Sequence, residues 1–264
     1  MSWFTIIIFQ PLFNGLLFLQ KFLPAHDLGL AIILLTLIIK AVLYVPSLSG
    51  IRASRQLQVL QPQLKALQAK YKDNREKLAQ EQMKLYKESK VNPFSSCLPL
   101  LIQIPIFIGL YQVFISGLKI DNGGILAASE LDKLYPALRS YFEHTSINTM
   151  FLGFINLGAN HNVILAIVAG LSQFWQTKML AAPKEPKIEG AKDESLTSAT
   201  NRQMMYLLPL FTIYIAYTFP AGLALYWIVQ SALTIVQQYI FLRQHPITIG
   251  DITKVTNDNN GRPA

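Results

Sequence analysis

The stretch LGLAIILLTLIIKAVLYV, residues 28–45, decides the fold of this chain. The run is long enough to cross most of a bilayer, and Lys40 is its only charged residue. A charged group at that depth costs roughly 3 kcal/mol on insertion scales, so such groups face protein or water and usually mark a working site. We therefore predict a polar site around Lys40 inside a membrane helix bundle.

Two plainer interpretations of Lys40 remain open. It lies about six residues from the inner end of its helix, roughly 9 Å of rise, and a lysine stem can snorkel part of that distance. A structural ion pair is the other, although the predicted spans contain no Asp or Glu to form it.

Composition places the chain in a membrane. Of its 264 residues 52% are hydrophobic and 14% are charged, whereas soluble domains carry nearer a quarter charged residues. Segment 52–92 has 10 Lys/Arg against 4 Asp/Glu, and segment 119–161 has 3 against 4. The positive-inside rule then puts 52–92 in the cytoplasm, the N-terminus outside and the C-terminus inside.

The predicted fold is all-α and polytopic, with a five-helix transmembrane core. The predicted division of the chain is an outer interfacial helix 1–27, a span 28–51, a cytoplasmic helical hairpin 52–92, a span 93–118, an outer loop 119–161, a span 162–180, a cytoplasmic loop 181–203, spans 204–219 and 220–241, and a cytoplasmic tail 242–264. Residues 2–23 are apolar enough for a sixth span, but their polar positions favour a helix lying on the outer face of the membrane. Asn92-Pro93 is expected to begin the second span.

The hairpin is predicted from an apolar seam. Leu57, Leu60, Leu64, Leu67 and Tyr71 follow a 3-4-3-4 spacing, which places them on one face of a helix. A second helix is predicted to begin with a capping box of Asp73 and Glu76. The two helices are expected to pair through this seam in antiparallel orientation.

No pattern indicates an enzyme. The four histidines are scattered without metal-ligand spacing, and no phosphate-binding loop, dinucleotide fingerprint or nucleophile motif is present. We therefore predict no catalytic residue, no metal and no cofactor. The single cysteine, Cys97, excludes an internal disulfide and is expected to be a small buried side chain.

Uncharged polar residues within the predicted spans allow two interpretations. They form hydrogen bonds between helices, or they line a polar cavity together with Lys40. They are Thr36, Gln103, Gln112, Ser172, Gln173, Gln176, Thr212, Thr218, Gln230, Ser231 and Thr234.

Four blocks of the chain resemble the YidC family of membrane protein insertases, in a short form without a large outer domain. They are PLFNGLLFL at 11–19, LQPQLKALQAKYKDNREKLAQEQMKLYKES in the basic segment, VNPFSSCLPLLIQIPIFIGLYQVF at 91–114, and FPAGLALYWIVQSALTIVQQ at 219–238. The blocks occur in the expected order and are spread over most of the chain, from residue 11 to residue 238. This extended match is far more specific than a short motif.

The resemblance implies a hydrophilic groove that opens to the cytoplasm and to lipid and is closed on the outer side. The family usually has an arginine in this groove, where this chain has Lys40, which keeps the charge and loses the bidentate fork. By the same alignment the groove or its rim includes Gln103, Gln173 or Gln176, and Trp227. Trp227 could instead face lipid.

The resemblance also implies a function and partners. The chain would be an insertase and chaperone of the bacterial plasma membrane that helps newly made membrane proteins insert and fold without nucleotide hydrolysis. The expected partners are nascent membrane proteins, ribosomes, targeting factors, the Sec translocon and membrane lipids, with no specific DNA. Basic hairpin residues would make these contacts, namely Arg52, Arg55, Lys65, Lys70, Lys72, Arg75, Lys77, Lys84 and Lys87. Positive-inside topology and attraction to anionic lipid explain the same charges without docking.

Two other functional classes remain. A small-solute transporter or channel would be supported by inverted repeats, and we find none. A structural assembly factor would scaffold other membrane subunits without inserting them.

Overall fold

The computed structural model describes residues 2–92, 95, 98–119, 125–179 and 196–245. The order of elements is a π-helical turn at Thr5–Phe9, α1 (Gln10–Phe22), a 3₁₀ turn at Pro24–His26, α2 (Leu28–Val42), α3 (Tyr44–Lys70), α4 (Arg75–Glu88), α5 (Leu98–Gln112), a π-helical turn at Val113–Gly117, α6 (Ala128–Leu131), α7 (Pro136–Phe142), β1 (Met150–Phe151), β2 (Ile155–Asn156), α8 (Val163–Met179), α9 (Leu196–Thr218) and α10 (Ala221–Gln244). The strands pair antiparallel, with Phe151 opposite Ile155. The predicted all-α class is confirmed.

Two compact units make up the chain. The first unit comprises Met1–Tyr44, Leu100–Phe174 and Pro209–Thr234, and the second comprises Val45–Pro99, Trp175–Leu208 and Ile235–Ala264.

The core of the first unit is aliphatic and aromatic. Phe13, Leu16 and Leu17 on α1 are fully buried, as are Leu28 on α2 and Leu223 on α10. They belong to one continuous cluster that also takes in buried side chains of α5, α8 and the segment before α8. Burial of this kind supplies most of the stability of a helical unit, at about 25 cal/mol per Å² of apolar surface removed from water.

Segment 125–161, which is part of the predicted outer loop 119–161, is held to α1 by buried polar side chains. Asn14 Nδ2 donates to the backbone oxygen of Lys133 at 3.2 Å, and Asn14 Oδ1 accepts from the backbone N–H of Tyr135 at 2.7 Å. Gln20 Nε2 donates to the backbone oxygen of Asn148 at 2.8 Å. Polar positions that suggested a helix at the membrane surface therefore serve here to hold a loop.

Asp27 connects the start of α2 to the same segment. One carboxylate oxygen caps α2 by accepting from the backbone N–H of Leu30 at 3.0 Å, and the other accepts from the backbone N–H of Leu152 at 2.7 Å. Gly29 follows, where the Phe151 ring lies so close that a Cβ would be 2.1 Å from its Cδ2. The absence of a side chain at residue 29 is therefore a packing requirement.

The second unit contains the helical hairpin of α3 and α4. Its core consists of Leu60, Leu64, Leu85 and Val91, with Leu57, Leu67 and Tyr86 packed against them. The apolar seam of α3 thus packs in the hairpin core from residue 57 to residue 67. Met83 points outward and is 47% exposed.

The predicted capping box at the start of α4 is wrong by one residue. The N-cap is Asn74, whose side-chain oxygen accepts from the backbone N–H of Lys77 at 2.9 Å. Asp73 is exposed in the turn before it. Both residue types are good caps, and the turn geometry selects between them.

Helix ends differ from the predicted boundaries at several points. A break at Leu43 separates α2 from α3, and α3 then runs without interruption past residue 51, where the first span was expected to end. Helix α9 begins at Leu196, earlier than the predicted residue 204. Pro93 and Cys97, most of the loop 181–203 and the tail from residue 246 lie outside the described residues.

Length and composition identify membrane-crossing candidates in the described part of the chain. Thr5–Phe22 and Ala221–Gln244 are each long and apolar enough, and Leu28–Val42 with Tyr44–Lys70 counts as a third if this bent pair is one span. Leu101–Gly117 and Met205–Thr218 are apolar but shorter. Residues 5–22 thus meet the length and composition expected of a span, and their predicted interfacial position stays a prediction.

Candidate functional site

Lys40 makes a direct contact with α10. Its half-buried side chain leaves α2 in the last turn, and Nζ donates a hydrogen bond to Thr234 Oγ1 on α10 at 2.8 Å. Thr234 lies 194 residues further along the chain. One partner of the cation inside the first unit is therefore a hydroxyl, an uncharged acceptor.

A hydrogen-bonded series of polar groups continues from Thr234 to α5. Thr234 Oγ1 donates to the backbone oxygen of Gln230 at 2.8 Å, and Gln230 Nε2 donates to Gln103 Oε1 at 3.0 Å. Gln103 Nε2 in turn donates to the hydroxyl of Tyr226. We call Lys40, Thr234, Gln230, Gln103 and Tyr226 the polar network. It joins α2, α5 and α10 in an otherwise apolar core, where an unmade hydrogen bond is costly.

One acceptor of this network has no partner among the described residues. Gln230 Oε1 is shielded from solvent and receives no hydrogen bond there. The network therefore combines a lysine ammonium with an amide oxygen that lacks a donor. Such an arrangement suits contact with polar groups or water.

The other three predicted groove residues lie outside the polar network. Gln173 Oε1 accepts from Ser231 Oγ on α10 at 3.4 Å, so Gln173 lies beside the polar network on a further helix. Gln176 is partly buried in the portion of α8 that belongs to the second unit. Trp227 makes an aromatic contact with Phe107, with ring centroids 5.0 Å apart, and takes no part in the polar network.

Several polar residues in the predicted spans bond within their own helix. Thr36 Oγ1 donates to the backbone oxygen of Ile32 at 2.6 Å, and Ser172 Oγ donates to that of Ala169 at 2.8 Å. Thr218 Oγ1 behaves in the same way. Each of these hydroxyls makes its hydrogen bond within its own helix, so none of them requires a polar cavity.

Sequence reasoning missed Tyr226 and did not rank Gln230 and Thr234 as site residues. The three are spaced by four residues, so they lie on one face of α10, as residues i, i+4 and i+8 of a helix do. Tyr226 is only 2% exposed, and its hydroxyl meets Gln103. A search for polar side chains at this spacing would have selected all three.

The basic residues of the hairpin are mostly exposed. Arg52, Lys70, Lys72, Arg75, Lys77, Lys84 and Lys87 are exposed, and Arg55 and Lys65 are half-buried. At the turn between α3 and α4 the ammonium groups of Lys70 and Lys77 each lie 5.5 Å from the centre of the Tyr71 ring. The turn therefore presents a cluster of cations around one aromatic ring.

Arg55 differs from the other basic residues. Its Nη1 donates to Gln58 Oε1 at 2.8 Å, and burial lowers the pKa of its guanidinium. Arg55 is thus partly engaged within α3, which separates it from the exposed cations of the turn.

Metal binding finds no support in the described residues, since no three His, Cys, Asp or Glu side chains there could hold an ion together. Two ion pairs of the first unit lie in the predicted outer loop, where Glu130 pairs with Lys133 at 2.6 Å and Asp132 with Arg139 at 3.0 Å.

Comparison with curated proteins finds two informative relatives. The chain is 33% identical over 245 residues to the membrane protein insertase YidC of Nitratidesulfovibrio vulgaris. This match covers 92% of this chain and 39% of that protein. It is 37% identical over 221 residues to the membrane protein insertase YidC of Francisella tularensis subsp. novicida, covering 83% and 33%. This chain thus spans between a third and two fifths of the length of these relatives.

Comparison with solved structures supports the fold. A crystal structure described as an active YidC insertase with its first transmembrane domain resolved matches with a TM-score of 0.56 and 24% identity. The match covers 90% of this chain and 47% of the other. The model of the family described as 60Kd inner membrane protein matches residues 18–248. This multi-pass bacterial membrane protein therefore belongs to the 60Kd inner membrane protein family, and its resemblance to the YidC family is confirmed.

Proposed function

We propose that this protein inserts newly made membrane proteins into the bacterial plasma membrane and assists their folding, without nucleotide hydrolysis. Its relatives carry the name membrane protein insertase. The observation that carries the proposal is the Lys40 ammonium, held among uncharged polar groups inside a membrane helix bundle. A cation inside a membrane is energetically costly, and such residues mark the path of polar or charged substrates. We therefore assign Lys40 to contact with polar or acidic groups of a client.

In the proposed mechanism, Lys40 lowers the free-energy cost of bringing a polar tail into the interior of the membrane. A client with one hydrophobic segment and an acidic outer tail brings the tail to Lys40. There the ammonium and the surrounding amides replace part of the hydration that the tail loses. The hydrophobic segment then moves sideways into lipid, driven by burial of its apolar surface at about 25 cal/mol per Å².

Orientation in the membrane belongs to the same proposal. We place the N-terminus outside, and the hairpin and the C-terminus in the cytoplasm, because the Lys/Arg excess lies in segment 52–92. Clients that emerge in the cytoplasm would then be on the side of the membrane where the exposed cations of the hairpin turn lie.

The test is insertion by the purified protein in liposomes, scored as protease protection of a single-span client with an acidic tail. Lys40→Ala and Lys40→Glu should lower insertion, Lys40→Glu more strongly because it repels the tail, and Lys40→Arg should keep it. Full activity of both Lys40→Ala and Lys40→Glu would exclude a charge role. Insertion by the protein alone would exclude a pure assembly factor, and solute uptake without insertion would favour a transporter.

The hairpin is proposed to dock ribosomes, targeting factors or nascent chains through its exposed cations. Binding to ribosomal RNA of this kind is electrostatic and weakens as salt rises. Deletion of residues 54–90 should lower client insertion while the protein itself still enters the membrane. If client insertion were unchanged, the role of these charges would be only to set the topology of the chain and to contact anionic lipid.

A further inference from the structure

We infer that Thr234 is the positioning residue of Lys40. Its hydroxyl oxygen gives the ammonium an acceptor at a fixed place, and the hydroxyl proton is donated to the backbone oxygen of Gln230. The inference rests on the proposed role of Lys40 in insertion. Two hydrogen bonds at the Thr234 hydroxyl and the rigidity of the threonine side chain carry it.

The first step concerns the hydroxyl proton. A threonine hydroxyl has one proton and two lone pairs. Thr234 donates that proton to the backbone oxygen of Gln230 at 2.8 Å, one turn earlier in α10. Toward Lys40 the oxygen can therefore act only as an acceptor, and Lys40 Nζ donates to it at 2.8 Å.

The second step concerns rigidity. Thr234 is 8% exposed, and its β-branched side chain has few rotamers in a helix, of which the bond to Gln230 selects one. The Gln230 side chain also donates to Gln103 on α5, so the turn that carries Thr234 is held from a second helix. The acceptor for Lys40 thus has a defined place in the first unit.

The third step explains why a lysine needs this acceptor. Its ammonium is a point charge at the end of a flexible stem with several rotatable bonds, whereas an arginine fork is pre-organised. Loss of Thr234 Oγ1 would remove the acceptor that α10 offers to the ammonium, and the flexible stem would allow the charge to move toward the membrane surface by snorkelling. Thr234 therefore sets where the charge meets a client.

The insertion test uses Thr234→Val, which keeps the shape and removes the acceptor, and Thr234→Ser, which keeps the hydroxyl. Thr234→Val should slow insertion of an acidic-tailed client about tenfold, as expected for loss of a hydrogen bond to a charged group. Thr234→Ser should stay within about twofold of the parent protein by the same reasoning. A client whose tail acids are replaced by amides should be unaffected by either change.

Two comparisons separate positioning from a structural role. In a Lys40→Ala background, Thr234→Val should cause no further loss, because its effect acts through Lys40. Thr218→Val is the matched control, since it removes a hydroxyl that bonds only within α9 in the described structure, and it should leave insertion unchanged. Equal slowing of both clients, or an additional loss in the Lys40→Ala background, would overturn the inference.

A second measurement does not depend on insertion. A water-soluble N-hydroxysuccinimide ester acylates lysine amines, and mass spectrometry gives the rate at Lys40 in liposomes. Thr234→Val should raise this rate severalfold because the amine loses its acceptor on α10, and Thr234→Ser should not. An unchanged rate in Thr234→Val overturns the inference. A raised rate together with full insertion by Lys40→Ala would instead refute the proposed role of Lys40 and leave its positioning by Thr234 intact.

Discussion

Replacement of Asn14 by leucine should release the predicted outer loop from α1. Asn14 is 2% exposed and makes two long-range hydrogen bonds, to the backbone oxygen of Lys133 and from the backbone N–H of Tyr135. Leucine has nearly the same size but neither donor nor acceptor. The change therefore leaves one backbone oxygen and one backbone N–H without their partner.

The magnitude follows from these two groups. An unsatisfied buried polar group costs about 1–3 kcal/mol, so the loss of partners for two such groups in Asn14→Leu should destabilise the first unit by about 2–6 kcal/mol. At about 2–4 °C per kcal/mol for a chain of this size, that corresponds to a fall of about 4–24 °C in the apparent Tm in detergent. Asn14→Asp keeps the acceptor for Tyr135 but places a buried carboxylate oxygen opposite the Lys133 carbonyl, so it should also lower the Tm while the Tyr135 amide keeps its acceptor.

Hydrogen exchange supplies the local measurement. The Tyr135 amide should exchange faster in Asn14→Leu, and in Asn14→Asp it should stay protected. Asn160→Leu is the matched control, because Asn160 is exposed and its replacement should change neither the Tm nor exchange at Tyr135. Unchanged protection of Tyr135 in Asn14→Leu would refute the argument that this side chain holds the loop.

Three further substitutions test packing and capping. Gly29→Ala should destabilise the first unit by about 1–3 kcal/mol, because the new Cβ would lie 2.1 Å from Phe151 Cδ2, and Phe151→Leu should relieve part of the fall in Tm. Leu64→Ala should cost about 2–5 kcal/mol and speed proteolysis of the hairpin, whereas the exposed control Met83→Ala should not. Asn74→Ala should remove about 1 kcal/mol and raise hydrogen exchange in the first turn of α4. Equal proteolysis of Leu64→Ala and Met83→Ala, or unchanged exchange or Tm in the other two, would contradict these assignments.

Local patterns predicted the hairpin well. The 3-4-3-4 spacing identified the leucines at 57, 60, 64 and 67, and the structure packs them in or against the hairpin core. The cap of α4 shows where local pattern stops, since Asp73 and Asn74 are chemically equivalent candidates. Only the backbone conformation of the turn selects Asn74.

Polar residues in the spans could not be sorted from the sequence. Thr36 and Thr234 are both buried threonines on apolar helices, yet Thr36 bonds only to its own helix in the described structure, and Thr234 also accepts from Lys40. The difference depends on which residue of another helix lies opposite. That neighbour is set by packing and has no local signature.

The sequence by itself determined that this chain is a membrane protein and that its apolar run 28–45 contains one cation, Lys40. Those properties follow from the solvation of each residue type and from helical periodicity, which are local. Only the tertiary structure decided that Lys40 is held by Thr234, and that Gln230, Gln103 and Tyr226 continue the network. These partners lie more than a hundred residues apart in the chain, and the close packing of α2, α5 and α10 brings them together.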